Sequence, residues 1–431
     1  MSLLEKLFKI EALGSSVKRE CVAGVTTFLT MAYIIFVNPQ MLADAGMDPG
    51  AVFVATCLAA ALGCFLMGVL ANYPVALAPG MGLNAFFTYV VVMEMGYSWE
   101  AALGAVFLSG ILFILLSLFK VREWIMNSIP VPLKLGIGAG IGLFLALIAL
   151  KSVGLVVASQ STLVTLGDLT QPSVLLAILG FFIIIAFAHF DVKASVILGV
   201  ISVTLLSLAF GMVEYQGIVS LPPSLEPTWL KMDIKAAFDI SMLSVIFTFL
   251  FIDLFDTSGT LVAVTHKAKL MKEDGTIPNL SKALLADSGA SVVGATLGTS
   301  TTTSYIESAS GVAVGGRTGL TAVVTGCCFL LALFFSPLAG MVPVYATAGA
   351  LLYVSVLMLG SLQHIEWDKL TDAVPVGIIL IMTPLSFSIS EGIALGFISY
   401  AVINLMTNQW KQVSVSVWVL AALFISRYAF A

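Results

Sequence analysis

Long apolar runs separated by short polar links dominate this sequence and leave it few ways to fold. Uninterrupted runs cover about 21–38, 51–70, 100–119, 131–150, 172–188, 194–213, 240–263, 317–337, 340–360, 372–389, 391–407 and 413–430. A helix needs about 20 apolar residues to cross a bilayer, so these runs have the length of membrane spans. Composition agrees: 59% of the 431 residues are hydrophobic and 10% are charged, against about 25% charged in soluble domains. An ordinary cytosolic enzyme is excluded. The net charge of −5 offers no basic face, so a nucleic-acid partner is excluded too. The expectation is a polytopic, all-α protein embedded in a lipid bilayer.

Three further stretches, 75–92, 283–298 and 299–314, are apolar but broken by Gly, Pro, Ser and Thr, giving 12 to 15 spans. The basic residues decide whether the broken stretches count. If all three cross, Lys6, Lys9, Lys18, Arg19, Lys120, Arg122, Lys193, Lys267, Lys269, Lys272, Lys282, Arg317, Lys369 and Lys411 all fall on the N-terminal side. Lys151, Lys231, Lys235 and Arg427 remain for the other face. The positive-inside rule then places the N-terminus in the cytoplasm. The first 20 residues are amphipathic and charged, and no cleavable signal peptide is expected.

Two of the broken stretches point to an internal duplication. ALAPGMGLNAFF (76–87) and GTSTTTSYIESASG (298–311) place Asn84 and Glu307 223 residues apart, and the same offset carries Asp256 onto Tyr33. Seven spans separate the equivalent segments, and an odd number reverses the direction of crossing. Interrupted segments at matching positions of two oppositely oriented halves are expected of transporters, with substrate near the midplane where the breaks meet. Broken backbone at that depth must be packed in protein or line a cavity.

Ionisable side chains within spans are functional candidates, because burying one is costly. Asp253 and Asp256 lie in FTFLFIDLFDTSGTLVAV (247–264), and at i, i+3 they are expected to share a helix face with Thr257 and Thr260. Glu307 follows the hydroxyl-rich run from Thr299 to Ser304, which includes Thr303. Asp287 is expected to make a cap or an interhelical bond, and Glu94 and Glu391 to be interfacial. Asn84 is an amide in a Gly-rich break, where Pro79, Gly80 and Gly82 should free backbone groups for a ligand. Phe86, Phe87, Phe255, Tyr33 and Tyr305 lie beside these polar residues, as a site for a flat heterocycle requires. Five cysteines and three histidines form no ligand cluster, and no phosphate-loop lysine is present. No metal, ATP or other cofactor is therefore expected, and a proton relay would have to run through carboxylates. Intramembrane cations are nearly absent, which disfavours an anion as cargo. A neutral solute with N–H donors suits paired carboxylate acceptors.

Four segments, GVTTFLTMAYIIFVNP (24–39), APGMGLNAFF (78–87), FDTSGTL (255–261) and GTSTTTSYIESASGV (298–312), resemble the signatures of AzgA-like purine permeases. That family is a branch of the nucleobase–cation symporter-2 group, related to the uracil and xanthine permeases. The resemblance implies about 14 transmembrane segments in two inverted repeats of seven, with short extended stretches in segments 3 and 10. It further implies a core domain from 20–119 and 236–337 and a gate domain from 120–235 and 338–431, working as an elevator and pairing as a homodimer. The implied activity is import of adenine, guanine or hypoxanthine across the cell membrane by proton symport, with Na⁺ open as an alternative ion. The motif positions carried over are Asp256, Glu307 and Asn84. Phe86, Thr257, Thr303 and Tyr305 complete the expected substrate site, and Asp253 joins Asp256 and Glu307 as a candidate for proton coupling. A nucleobase uniporter or channel and an anion transporter of the same fold are the alternatives; no constellation supports an enzyme. The run at 413–430 is either the fourteenth span, with two other runs forming one broken helix, or an extra terminal helix.

Overall fold

A computed structural model describes residues 3–119, 128–239, 242–271 and 277–430. Lys120, Arg122 and Lys272, three of the topology-marking cations, lie outside the described residues, as does the side chain of Arg427. After a short N-terminal helix, Leu3–Phe8, the first half comprises α1 (Val17–Met31), α2 (Ile34–Asp44), α3 (Pro49–Leu66), β1 (Leu77–Pro79), α4 (Met81–Ala85), α5 (Trp99–Leu118), α6 (Val131–Ser152), a hairpin of β2 (Val156–Ser159) and β3 (Leu163–Leu166), α7 (Pro172–His189) and α8 (Ser195–Ala209). The second comprises α9 (Leu243–Lys267), α10 (Leu280–Leu297), β4 (Thr302–Ser304), α11 (Ser308–Ala313), α12 (Gly319–Ala332), α13 (Val344–Leu359), α14 (Leu370–Leu385), α15 (Ile389–Met406) and α16 (Val415–Phe430). Among the described residues, nine helical segments are long and apolar enough to cross a membrane, and four shorter apolar helices accompany them.

Helix starts follow the sequence. Ser16, Asp48, Ser98, Thr318 and Ser388 each precede a helix and accept a hydrogen bond from a first-turn N–H, satisfying donors that have no partner within the helix. A second cap comes from far away in sequence. Glu20, fully buried, accepts from the backbone N–H of Arg317 at 2.9 Å and of Thr318 at 3.2 Å. Its carboxylate thus sits at the positive end of α12 and ties the first segment of one half to the fourth of the other.

Packing repeats between the halves with the roles exchanged. Helix α3 packs on α12 as α10 packs on α5, and α1 packs on α12 as α9 packs on α5. In the remaining segments, α7 packs on α13 as α14 packs on α6. The pairs α3–α10 and α6–α13, together with the ribbon β1–β4, join equivalent elements to each other. This is the contact pattern of two inverted repeats of seven segments. The chain has the expected all-α architecture, with both short extended stretches in place.

The C-terminal run is a separate helix. The Ser414 hydroxyl donates to the Ser128 carbonyl at 2.7 Å near the start of α16, and Tyr428 near its end bonds Glu391 at the start of α15. Between them the Phe424 ring meets Phe397 and Phe251. Helix α16 therefore runs antiparallel along α15, as an element added after the second repeat.

Candidate functional site

The site is built around two breaks. In the first half the chain leaves α3, passes through β1 and re-enters a helix at Met81; in the second it leaves α10, passes through β4 and re-enters at Ser308. The two strands pair antiparallel, Leu77 with Ser304, Ala78 with Thr303 and Pro79 with Thr302. Beyond the strands, the N–H of Gly80 donates to Thr301 O and that of Tyr305 to Ala76 O, both at 2.9 Å. Pro79 has no N–H to contribute, and an edge position in a two-stranded ribbon tolerates that. The breaks thus satisfy one another's backbone groups, which lipid could not do.

A cavity of about 710 Å³ reaches this ribbon. Asp256 and Glu307 line it, with Tyr33 and Thr30 from the first span, Gly80, Met81 and Gly82 from the first break, and Thr303, Ser304 and Tyr305 from the second. The Tyr33 hydroxyl donates to Glu307 Oε1 at 2.6 Å, and Thr303 Oγ1 donates to Asp256 Oδ2 at 3.3 Å. Tyr305 donates to the Pro79 carbonyl at 2.6 Å, so its ring is fixed across the ribbon. The hydroxyl of Ser304, next after Thr303 along the same strand, is buried and has no partner among the described residues. Phe255 supplies an apolar ring to the wall. The cavity therefore presents two carboxyl groups, several hydroxyls and aromatic faces together.

Four of the residues expected here lie elsewhere. Asn84 is fully buried and accepts from the Ser300 hydroxyl, behind the wall of the cavity. Phe86 packs edge-on against Phe249, with ring centroids 5.0 Å apart. Asp253 and Thr257 are fully buried on another side of α9: the Thr257 hydroxyl lies 3.3 Å from Asp253 Oδ1 and 3.0 Å from Asp287 Oδ1. An i, i+3 spacing leaves roughly 60° between side chains at 3.6 residues per turn. Here that angle puts Asp256 on the cavity and Asp253 off it, beside the Thr257 that reaches Asp287 of α10, so the single shared face does not hold. Asp287 makes an interhelical contact, as one of its two readings has it.

Sequence reasoning gave Thr30 and Ser304 no role of their own, and it noted Tyr33 only through the 223-residue offset and its nearness to polar groups. The cavity is also lined by Lys134, Lys193, Lys267 and His364, which sit in the first turn of α6, the α7–α8 turn, the last position of α9 and the link after α13. Among the described residues, no group of three or more His, Cys, Asp or Glu is arranged to hold a metal ion.

Comparison with known proteins gives a consistent result. A family model described as Permease family (Xan_ur_permease) matches residues 18–425. The adenine permease AdeP of Escherichia coli is 53% identical over 99% of this chain and 96% of its own length. The guanine/hypoxanthine permease PbuG of Bacillus subtilis is 48% identical over 99% of this chain and 100% of its own. Among solved structures, the transmembrane domain of the cyanobacterial bicarbonate transporter BicA superposes with a TM-score of 0.67 at 18% identity, covering 88% of this chain and 97% of that one. Murine Slc26a9, an anion transporter in its inward-facing state, gives 0.70 at 10% identity, covering 94% and 72%. At such identities these structures speak to the fold alone.

Proposed function

The chain belongs to this permease family, and from that premise we propose that it imports purine nucleobases across the cell membrane by proton symport. The observation that carries the reading is the meeting of Asp256 and Glu307 on one cavity wall beside the β1–β4 ribbon. Carboxylates accept adjacent N–H groups side by side, as the ring N–H and exocyclic amine of guanine present them. Thr303 adds a hydroxyl, and Phe255 and Tyr305 cover the ring faces. Asn84, Phe86 and Thr257 act from behind the wall by fixing the break and α9. The purine specificity in the names of the relatives supports this choice of cargo.

Coupling rests on the same two acids, with Asp253 as a secondary group. A proton moving down 100 mV yields about 2.3 kcal/mol, enough for a gradient of roughly 50-fold at 1.4 kcal/mol per decade. In this proposal 20–119 and 236–337 form a core that moves as an elevator against a gate of 120–235 and 338–431, and two gates pair in a homodimer. The basic residues at the cavity mouth make that mouth cytoplasmic and the N-terminus with it.

The test is uptake of labelled adenine, guanine and hypoxanthine in cells lacking purine transport, across pH, with Asp256→Asn and Glu307→Gln alongside. Accumulation abolished by a protonophore is expected of the parent, with at least a tenfold loss in each variant. Variants that accumulate purine like the parent would overturn the site. Accumulation indifferent to the protonophore would overturn proton symport and leave Na⁺ coupling or a uniporter.

A further inference from the structure

The cavity is larger than a purine base requires, and it is lined by cations that such a base does not use. At about 710 Å³ it lies in the range that encloses a drug-sized ligand, whereas a neutral bicyclic base is smaller and has no use for cations. Yet Lys134 and Lys267 line the same continuous space as Asp256 and Glu307. Lys193 is partly balanced by Asp191 at 3.7 Å, but neither Lys134 nor Lys267 forms an ion pair among the described residues. Lys134 is the more telling. It is only partly exposed and sits in the first turn of α6, where a positive charge opposes the helix dipole. Its position is thus unfavourable for the helix and favourable for an anion in the cavity.

Depth fits as well. Asp256 and Lys267 are eleven residues apart on α9, a rise of about 16 Å at 1.5 Å per residue. A flexible lysine stem pointing back into the cavity shortens that gap to the span of a ribose and one phosphate. We propose that the cavity also binds purine nucleoside 5′-monophosphates from the mouth side, with the base at Asp256 and Glu307 and the phosphate between Lys134 and Lys267. The nucleotide is then an inhibitor: its charged end remains at the mouth and blocks the base site. This rests on the reading of the cavity as a purine site, and it gives the cell's nucleotide pool direct control over import of the free base.

The experiment uses the purified full-length protein and equilibrium displacement of labelled adenine by AMP, adenosine and inorganic phosphate, repeated with hypoxanthine, IMP and inosine. The expected result is that the monophosphate displaces the base at least tenfold better than the nucleoside. The advantage should shrink as salt screens the contact, while phosphate alone displaces nothing. In the Lys134→Gln, Lys267→Gln double variant the nucleoside-to-nucleotide ratio falls about tenfold, and Lys134→Arg with Lys267→Arg keeps it. Because the readout is a ratio within one preparation, a poorly folded fraction does not imitate it. Base binding with no advantage for the monophosphate overturns this inference alone. Displacement by inorganic phosphate equal to that by nucleotide overturns it in favour of a simple anion site. Absence of any base binding overturns the purine site and this inference with it.

Discussion

Tyr33 shows what a single side chain contributes to this site. Its phenol is the group hydrogen-bonded to Glu307 Oε1 at 2.6 Å, and it comes from the turn between α1 and α2, in the other repeat. Hydrogen bonds to charged groups contribute about 1.5–3 kcal/mol, so Tyr33→Phe is expected to raise KM for the base about tenfold or more. Expression and melting temperature of the variant should match the parent; an unchanged KM would mean Glu307 is oriented by other contacts. The two acids themselves were legible in the sequence, because a charge inside an apolar run has to be explained. Asn84 and Thr257 were legible as polar residues in spans, but which way they face was not. Periodicity fixes the angle between side chains on one helix, not which neighbour each angle meets. Ser300 and Asp287, the partners that draw Asn84 and Thr257 off the cavity wall, come from other segments.

At the scale of elements, the ribbon β1–β4 is the part the sequence announced most clearly, through Gly, Pro and hydroxyl residues interrupting apolar runs. What it did not announce was the register, which brings Ala78 opposite Thr303. Gly80 shows how tight that register is. A Cβ there would lie 2.8 Å from Thr303 Oγ1 and 2.9 Å from its Cγ2, so Gly80→Ala must push aside the threonine that bonds Asp256. Overpacking of this kind costs about 1–3 kcal/mol, and a fall in uptake of tenfold or more is expected. Gly138→Ala, on the same cavity where a Cβ meets nothing within 4 Å, is the control and should transport normally. The number of terminal segments was likewise hidden. The run at 413–430 has the apolarity of a span, and only its seating along α15 shows that it follows a complete second repeat.

For the whole molecule, the consequence of lysines at the element ends that line the cavity is directional access. In a variant stripped of native cysteines, Gly138→Cys is expected to react with a membrane-impermeant thiol reagent applied from the cytoplasmic side, and added purine should slow the reaction. Faster labelling from the opposite side would place the mouth there instead. The long-range order of the chain was readable in outline, since the register of the ribbon sets equivalent strand residues 225 apart, two from the 223 between Asn84 and Glu307. The offset falls to 213 between the starts of α6 and α13, ahead of the hairpin β2–β3, and to 198 between those of α7 and α14, after it.

The paired breaks also bear on how such a chain arose. Each strand of the ribbon is three residues long and belongs to a different half, so neither half closes it alone. A one-repeat ancestor would have needed an oppositely inserted copy of itself, and hence lysines and arginines distributed evenly enough to enter the membrane both ways. With both halves on one chain, that freedom is not needed. Fragments 1–216 and 217–431 expressed together should still reassemble and restore purine uptake, while either alone should give none. Uptake by a single fragment would show that the site does not depend on the pairing.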